Sequence, residues 1–270
     1  MTDYRDRASV LVWAALMGLA AQRLLTLPSR SLTATVFGSP ITLTLTMNAI
    51  VGLLLAGMVA AGAEAVVRGH PHRQADQINN HWVFWSLPVA LIVVAVLVLP
   101  VAPSRLYWLI GLILTGVLLG LSMAGIYYTV DPFATGYRRA RLGMNALTYG
   151  IALLLFLVVY RTRVRSIVSA TEVMLISGLL ALELLRGSGR RVFLIGVYAG
   201  ITGLVLGQAT WALNYWRLDS LTGGLALLVL FYDVVGLSQN ALQGRINRRV
   251  LLEFGLITLA ALALIWEFAP

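Results

Sequence analysis

The sequence predicts an all-α membrane protein, a polytopic bundle of about nine transmembrane helices with little chain outside the bilayer. Three observations carry that expectation. Only 11% of the 270 residues are charged, whereas a soluble domain carries about 25% to keep its surface wet. Hydrophobic residues make up 59% of the chain, more than a soluble core of this size holds. The apolar residues fall into repeated runs of about 20, the length that crosses ~30 Å of hydrocarbon as a helix.

In chain order the runs cover residues 8–27, 41–67, 82–102, 106–130, 142–160, 166–185, 192–214, 221–242 and 250–268. Each is expected to be helical, because a backbone in lipid must satisfy its hydrogen bonds within its own segment. The first run is longer than the apolar stretch of a usual signal peptide and is read as a retained helix. Aromatic residues gather at the ends of the runs: Trp82 and Trp85, Tyr107 and Trp108, Tyr127 and Tyr128, Tyr215 and Trp216, and Trp266. Such rings favour the interface between hydrocarbon and headgroups.

Charge placement gives an orientation. The net charge is +9 and every one of the 20 basic residues is arginine. With a cytoplasmic N-terminus, thirteen arginines fall in inner loops, six in outer loops and one, Arg23, inside a helix. That bias predicts a multi-pass protein of the bacterial inner membrane with its N-terminus inside. Arg161, Arg163 and Arg165 run against it. The basic loops suit anionic lipid headgroups. They lack the interleaved stacking aromatics of a nucleic-acid surface, so no nucleic-acid partner is expected.

Missing residue types exclude several chemistries. There is no cysteine, hence no disulfide, thiolate metal site or cysteine nucleophile. There is no lysine, hence no Schiff base and no phosphate-loop lysine. The histidines are His70, His72 and His81. Three histidines on one basic loop read as a solvated surface, and no metal or cofactor is expected.

Two stretches resemble each other. Leu109-Ile110-Gly111, Thr115-Gly116 and Gly120 in the fourth run match Leu194-Ile195-Gly196, Thr202-Gly203 and Gly207 in the seventh. Gly150-Ile151-Ala152 matches Gly224-Leu225-Ala226, and Glu172 with Ser177 matches Glu253 with Thr258. Met47-Asn48-Ala49 also matches Met144-Asn145-Ala146. The expectation is a single membrane domain, 1–270, built from three tandem three-helix units at 1–103, 104–186 and 187–270. An odd number of spans per unit would turn neighbouring units upside down, as in many transporters. Glycines four apart are expected to let helices approach closely. Asn48, Asn145, Gln208 and Asn214 are expected to link helices by hydrogen bonds.

Intramembrane acids are the strongest functional pointers, because a carboxylate at mid-bilayer costs roughly 2.5–3.5 kcal/mol unless it is paired, protonated or wet. The expected substrate- or ion-binding residues are Asp233, Glu172, Arg23, Glu183, Glu253 and Glu64. Asp233 is the deepest. Glu172 and Glu183 are three turns apart on one helix face, and Arg23 is expected to serve the acids as a counter-charge. No catalytic residue is assigned: no G-x-S-x-G, H-E-x-x-H or intramembrane D-x-x-D pattern occurs. The function expected is transporter-like movement of a small solute, ion or lipid through the bundle. Two alternatives stand beside it, a non-catalytic accessory subunit of a larger membrane complex and a lipid-handling intramembrane enzyme. Expected partners are membrane lipids, a partner subunit or a second copy of the chain.

Overall fold

A computed structural model describes residues 2–24, 30–36, 39–71, 81–162, 166–188, 191–216 and 219–267. Among them the chain forms nine α-helices: α1 (Thr2–Leu24), α2 (Met47–Arg68), α3 (Ser86–Val98), α4 (Arg105–Val130), α5 (Tyr137–Thr162), α6 (Ser166–Leu185), α7 (Val192–Leu213), α8 (Ser220–Leu242) and α9 (Arg248–Glu267). The protein is an α-helical membrane bundle. Seven helical stretches, in α2 to α8 with their flanking turns, are long and apolar enough to cross a membrane.

Two of the expected spans, those in α1 and α9, stand outside that set. The described part of α1 carries Arg5, Asp6 and Arg7 near one end and Arg23 at the other. The side chains of α9 at 264–266 lie outside the described residues. Both helices nonetheless turn apolar faces outward, with Val10, Trp13 and Met17 on α1 and Leu252, Leu256 and Leu259 on α9. Spacings of three and four place each set on one stripe.

A second correction concerns the run at 41–67. Its first residues are not helical. Strand β1 (Arg30–Val36) pairs antiparallel with β2 (Ser39–Leu45), and Leu32 stands opposite Leu43. Ile41-Thr42-Leu43-Thr44-Leu45 alternates with period two, the strand pattern. The helix starts only after Thr46, whose side chain accepts a hydrogen bond from the Ala49 amide, a standard N-cap. In α3, a 3-10 turn at His81–Trp85 precedes the helix and another at Leu99–Val101 closes it. Pro88 fits in the first turn, where its missing N–H costs nothing. Helix α5 begins five residues before its apolar run, because Arg138, Arg139 and Arg141 continue the helix beyond the apolar stretch.

The core runs the length of the bundle, through Leu19, Leu87, Ile92, Leu119, Met123, Ile126, Phe156, Leu180 and Phe231, all fully buried. Helix α3 is the most enclosed of the seven spans, and it packs against α2, α4, α5 and α6. Five threonine hydroxyls within the spans satisfy themselves. Thr115, Thr129, Thr148, Thr202 and Thr210 each donate to the carbonyl four residues back, at 2.7–2.8 Å. That bond removes an orphan donor from hydrocarbon without a partner helix.

The matched glycines do not share one packing role. A β-carbon on Gly203 would lie 2.5 Å from the Met174 carbonyl oxygen, and one on Gly207 would lie 3.0 Å from that of Ala170, both on α6. Gly116 instead receives the Leu16 side chain of α1, and nothing approaches Gly120 or Gly200 within 4 Å.

Candidate functional site

Two deep polar sites and one cavity stand out, and each is set by where helix ends or mid-points meet.

The first polar site lies between α8 and α9. Asp233 is fourteen residues into α8, is 8% exposed and turns toward α9. One turn further along α8, Gly236 accepts the Phe254 ring against its bare backbone. That close approach brings Thr258, one turn along α9, against Asp233. The pair of contacts, 236 with 254 and 233 with 258, is the register of two antiparallel helices. Thr258 Oγ1 hydrogen-bonds Asp233 Oδ2 and also lies 2.8 Å from its own Phe254 carbonyl. Asp233 Oδ1 is buried with no partner, and no basic residue among those described pairs with this carboxyl. Tyr149, Phe231, Tyr232 and Phe254 form the aromatic surroundings, with ring centres 5.8–6.1 Å apart.

The second polar site joins α4, α5, α6 and α8 at one end of the bundle. Glu183 is fully buried and is held by two arginines. Arg141 Nη1 donates to its Oε1 at 2.9 Å, and Arg186 Nε donates to its Oε2 at 2.8 Å. Arg141 Nη2 also donates to the Glu183 and Leu184 carbonyls at 2.7 and 2.9 Å, capping the last turn of α6 where carbonyls lack partners. Arg186 Nη2 reaches Thr129 at 3.0 Å, and its guanidinium lies 4.4 Å over the Phe84 ring. Every oxygen of Glu183 is engaged, so the cluster is a structural tie.

The cavity, about 260 Å³, opens where α1, α2, α3 and α4 end or begin on one side of the bundle. Gln22, Arg23, Asn48 and Trp108 are among its lining residues.

Among the described residues the six candidates therefore do not come together in one group. Arg23 is not a counter-charge to the acids; its guanidinium sits 4.9 Å over the Trp108 ring instead. Glu64 pairs with Arg68 one turn away on its own helix. Glu172 is half-buried and makes no hydrogen bond or ion pair among the described residues, and Glu253 faces outward. Of the linking amides, Asn214 donates to Ser169 across α7 and α6 at 3.0 Å, while Asn145 Oδ1 is buried without a partner. His70 packs edge-on against Tyr127 at 4.7 Å, and His72 lies outside the described residues. Sequence reasoning passed over Thr258, Arg141 and Arg186. Arg186 carried a local signal, three residues from Glu183. The other two partners are 25 and 42 residues from their acids, a separation that leaves no periodic trace.

Residues 27–267 match the model of a protein family described as "Protein of unknown function (DUF5656)". The chain belongs to this family. The DUF5656 match takes in α2 to α9 and both polar sites, and it leaves out α1. No curated protein and no solved structure matches the chain.

Proposed function

We propose that this DUF5656 protein is transporter-like, moving a small solute or ion through the bundle with Asp233 as the group that loads and releases a proton or small cation. A count of protons supports the reading. The Thr258 hydroxyl has one proton and two acceptors within reach, the Phe254 carbonyl and the Asp233 carboxyl. A carbonyl only accepts, so Thr258 makes two undivided hydrogen bonds when Asp233 supplies the second proton, and otherwise shares its one proton between two acceptors. The loaded state is then a chain, Asp233 to Thr258 Oγ1 to the Phe254 carbonyl. Unloading leaves a carboxylate in apolar surroundings, a cost that a passing cation or water offsets.

The test is a proton-flux assay in proteoliposomes loaded with a pH-sensitive dye. The wild-type chain should relax an imposed pH gradient, and Asp233→Asn should not, although Asn still donates to Thr258 and keeps the helices together. Equal relaxation by both would remove Asp233 from any such role. Thr258→Val should cost about 1–3 kcal/mol of stability, because it leaves the whole Asp233 carboxyl without a partner. A detergent unfolding titration reads that loss.

A second reading, an accessory subunit, is favoured by one observation. On α7, Gly200 is open to the outside, flanked by outward Val197, Ile201 and Leu204. A bare backbone on an apolar face suits a partner helix. Gly200→Leu would then leave the isolated chain folded while displacing a stoichiometric companion. Residence in the bacterial inner membrane with a cytoplasmic N-terminus belongs to both readings and is supported by the arginine bias. Three tandem units in alternating orientation suit the transporter reading, supported by the matched segments of α4 and α7.

A further inference from the structure

We propose that the cavity at the α1–α4 end binds a phosphate oxyanion, presented by a phospholipid headgroup or as free phosphate. The site is separate from Asp233, and the proposal does not depend on proton movement.

Four observations meet there. Arg23 stands in the last turn of α1, and among the described residues its guanidinium has no carboxylate partner. It stacks on the Trp108 ring at 4.9 Å. Stacking occupies the face of the guanidinium and leaves its in-plane N–H fork free, the fork that matches two oxygens of a phosphate. Beside it, Gln22 Nε2 is buried with no hydrogen-bond partner, a cost of about 1–3 kcal/mol that a ligand oxygen would remove. Asn48 brings a third donor group from the first turn of α2. Among the described residues the lining contains no acid, so they make the cavity cationic and rich in donors.

Position and shape narrow the ligand. The four helices contribute their ends, and Trp108 and Arg23 are residue types that settle at headgroup depth. Leu19, Leu99 and Pro100 complete an apolar wall, which suits the glycerol and upper acyl carbons of an amphiphile below its phosphate. A tetrahedral oxyanion offers acceptors to donors arriving from α1 and α2 together.

The test uses the purified full-length chain in two arms. In the first, native mass spectrometry follows retention of phosphatidylglycerol against diacylglycerol of the same acyl chains, which lacks the phosphate. In the second, thermal unfolding is followed with and without inorganic phosphate. Arg23→Gln should lower phosphatidylglycerol retention, or the phosphate-induced shift, by about tenfold or more in apparent affinity. Gln22→Leu, which keeps the volume and removes the buried donor, should weaken the same readout even if Arg23→Gln folds poorly. Arg245→Gln, at an exposed turn beyond α8, should change neither. A response in the first arm alone identifies the headgroup as the source, and a response in the second alone identifies free phosphate. If diacylglycerol is retained as well as phosphatidylglycerol and phosphate shifts wild type and both cavity variants alike, the proposal is overturned.

Discussion

Replacing Glu183 by Gln should destabilise the bundle by about 3–5 kcal/mol, the usual consequence of breaking a buried ion pair by removing one partner. The reason lies in the count of charges. Glu183 has no exposed surface and accepts from both Arg141 and Arg186. The amide keeps the shape but removes the negative charge, which leaves two guanidinium groups together in the bundle end. Arg141 also caps the α6 carbonyls and Arg186 also holds Thr129 of α4, so neither can swing to water without releasing a helix end. A dodecyl sulfate titration followed by circular dichroism reads the loss. The triple replacement Arg141→Met, Glu183→Leu and Arg186→Met should cost less than the single change, because it removes every charge at once and costs only the capping bonds. A single change that costs under about 1 kcal/mol would mean that lipid headgroups supply the missing anion.

That tie also explains why the acids of this chain do not make one pathway. Glu183, Glu64 and Asp233 are each compensated where they stand, and the three compensations differ. Glu183 has two cations. Glu64 has Arg68 one turn away. Asp233 has a hydroxyl and, among the described residues, no cation, which sets it apart from the two acids held by arginine. Compensation by a fixed charge freezes an acid, whereas compensation by a mobile proton leaves it able to change state.

The same difference decides what was legible in the sequence. Lipid imposes its demand on every residue of a span, so the runs at 106–130, 166–185, 192–214 and 221–242 coincide with α4, α6, α7 and α8 within a residue or so at each end. The hairpin at Arg30–Leu45 was hidden because Ile41, Leu43 and Leu45 lengthen the apolar run that follows, and their alternation with threonine was masked by it. The depth of Asp233 was readable by counting along one helix. Its partner was not, since Thr258 belongs to another helix and the local rules of spacing stop at the loop. Sequence places Arg23 inside a helix and suggests the acids as its partners, whereas its guanidinium stacks on Trp108, because sequence places a charge along a helix but not the neighbours it faces. The glycine pattern was half legible. Spacing of four marks a bare stripe, yet it does not say whether a second backbone arrives there.

Gly203 and Gly200 turn that last point into the second large effect. They lie on the same helix, three residues apart, and both are Gly in otherwise similar apolar surroundings. At Gly203 a β-carbon would meet the Met174 carbonyl oxygen at 2.5 Å and the Gly178 backbone at 3.4 Å. These are main-chain atoms of α6 and cannot rotate aside, and α6 with α7 forms the most extensive helix contact in the bundle. Gly203→Val must therefore separate the two helices, at a cost of about 3 kcal/mol, the upper part of the range for an overpacked core. Such a separation would also loosen the bond from Asn214 to Ser169 at the end of the same interface. At Gly200 nothing among the described residues lies within 4 Å of an added β-carbon, so Gly200→Ala should be neutral or gain up to about 1 kcal/mol from helix propensity. Unfolding titrations of the two variants side by side separate packing from propensity, since both lose the same glycine flexibility and only one meets a neighbour. If Gly203→Val unfolds at the same denaturant concentration as Gly200→Ala, the α6–α7 crossing is not held backbone to backbone, and the most extensive helix contact in the bundle has another origin.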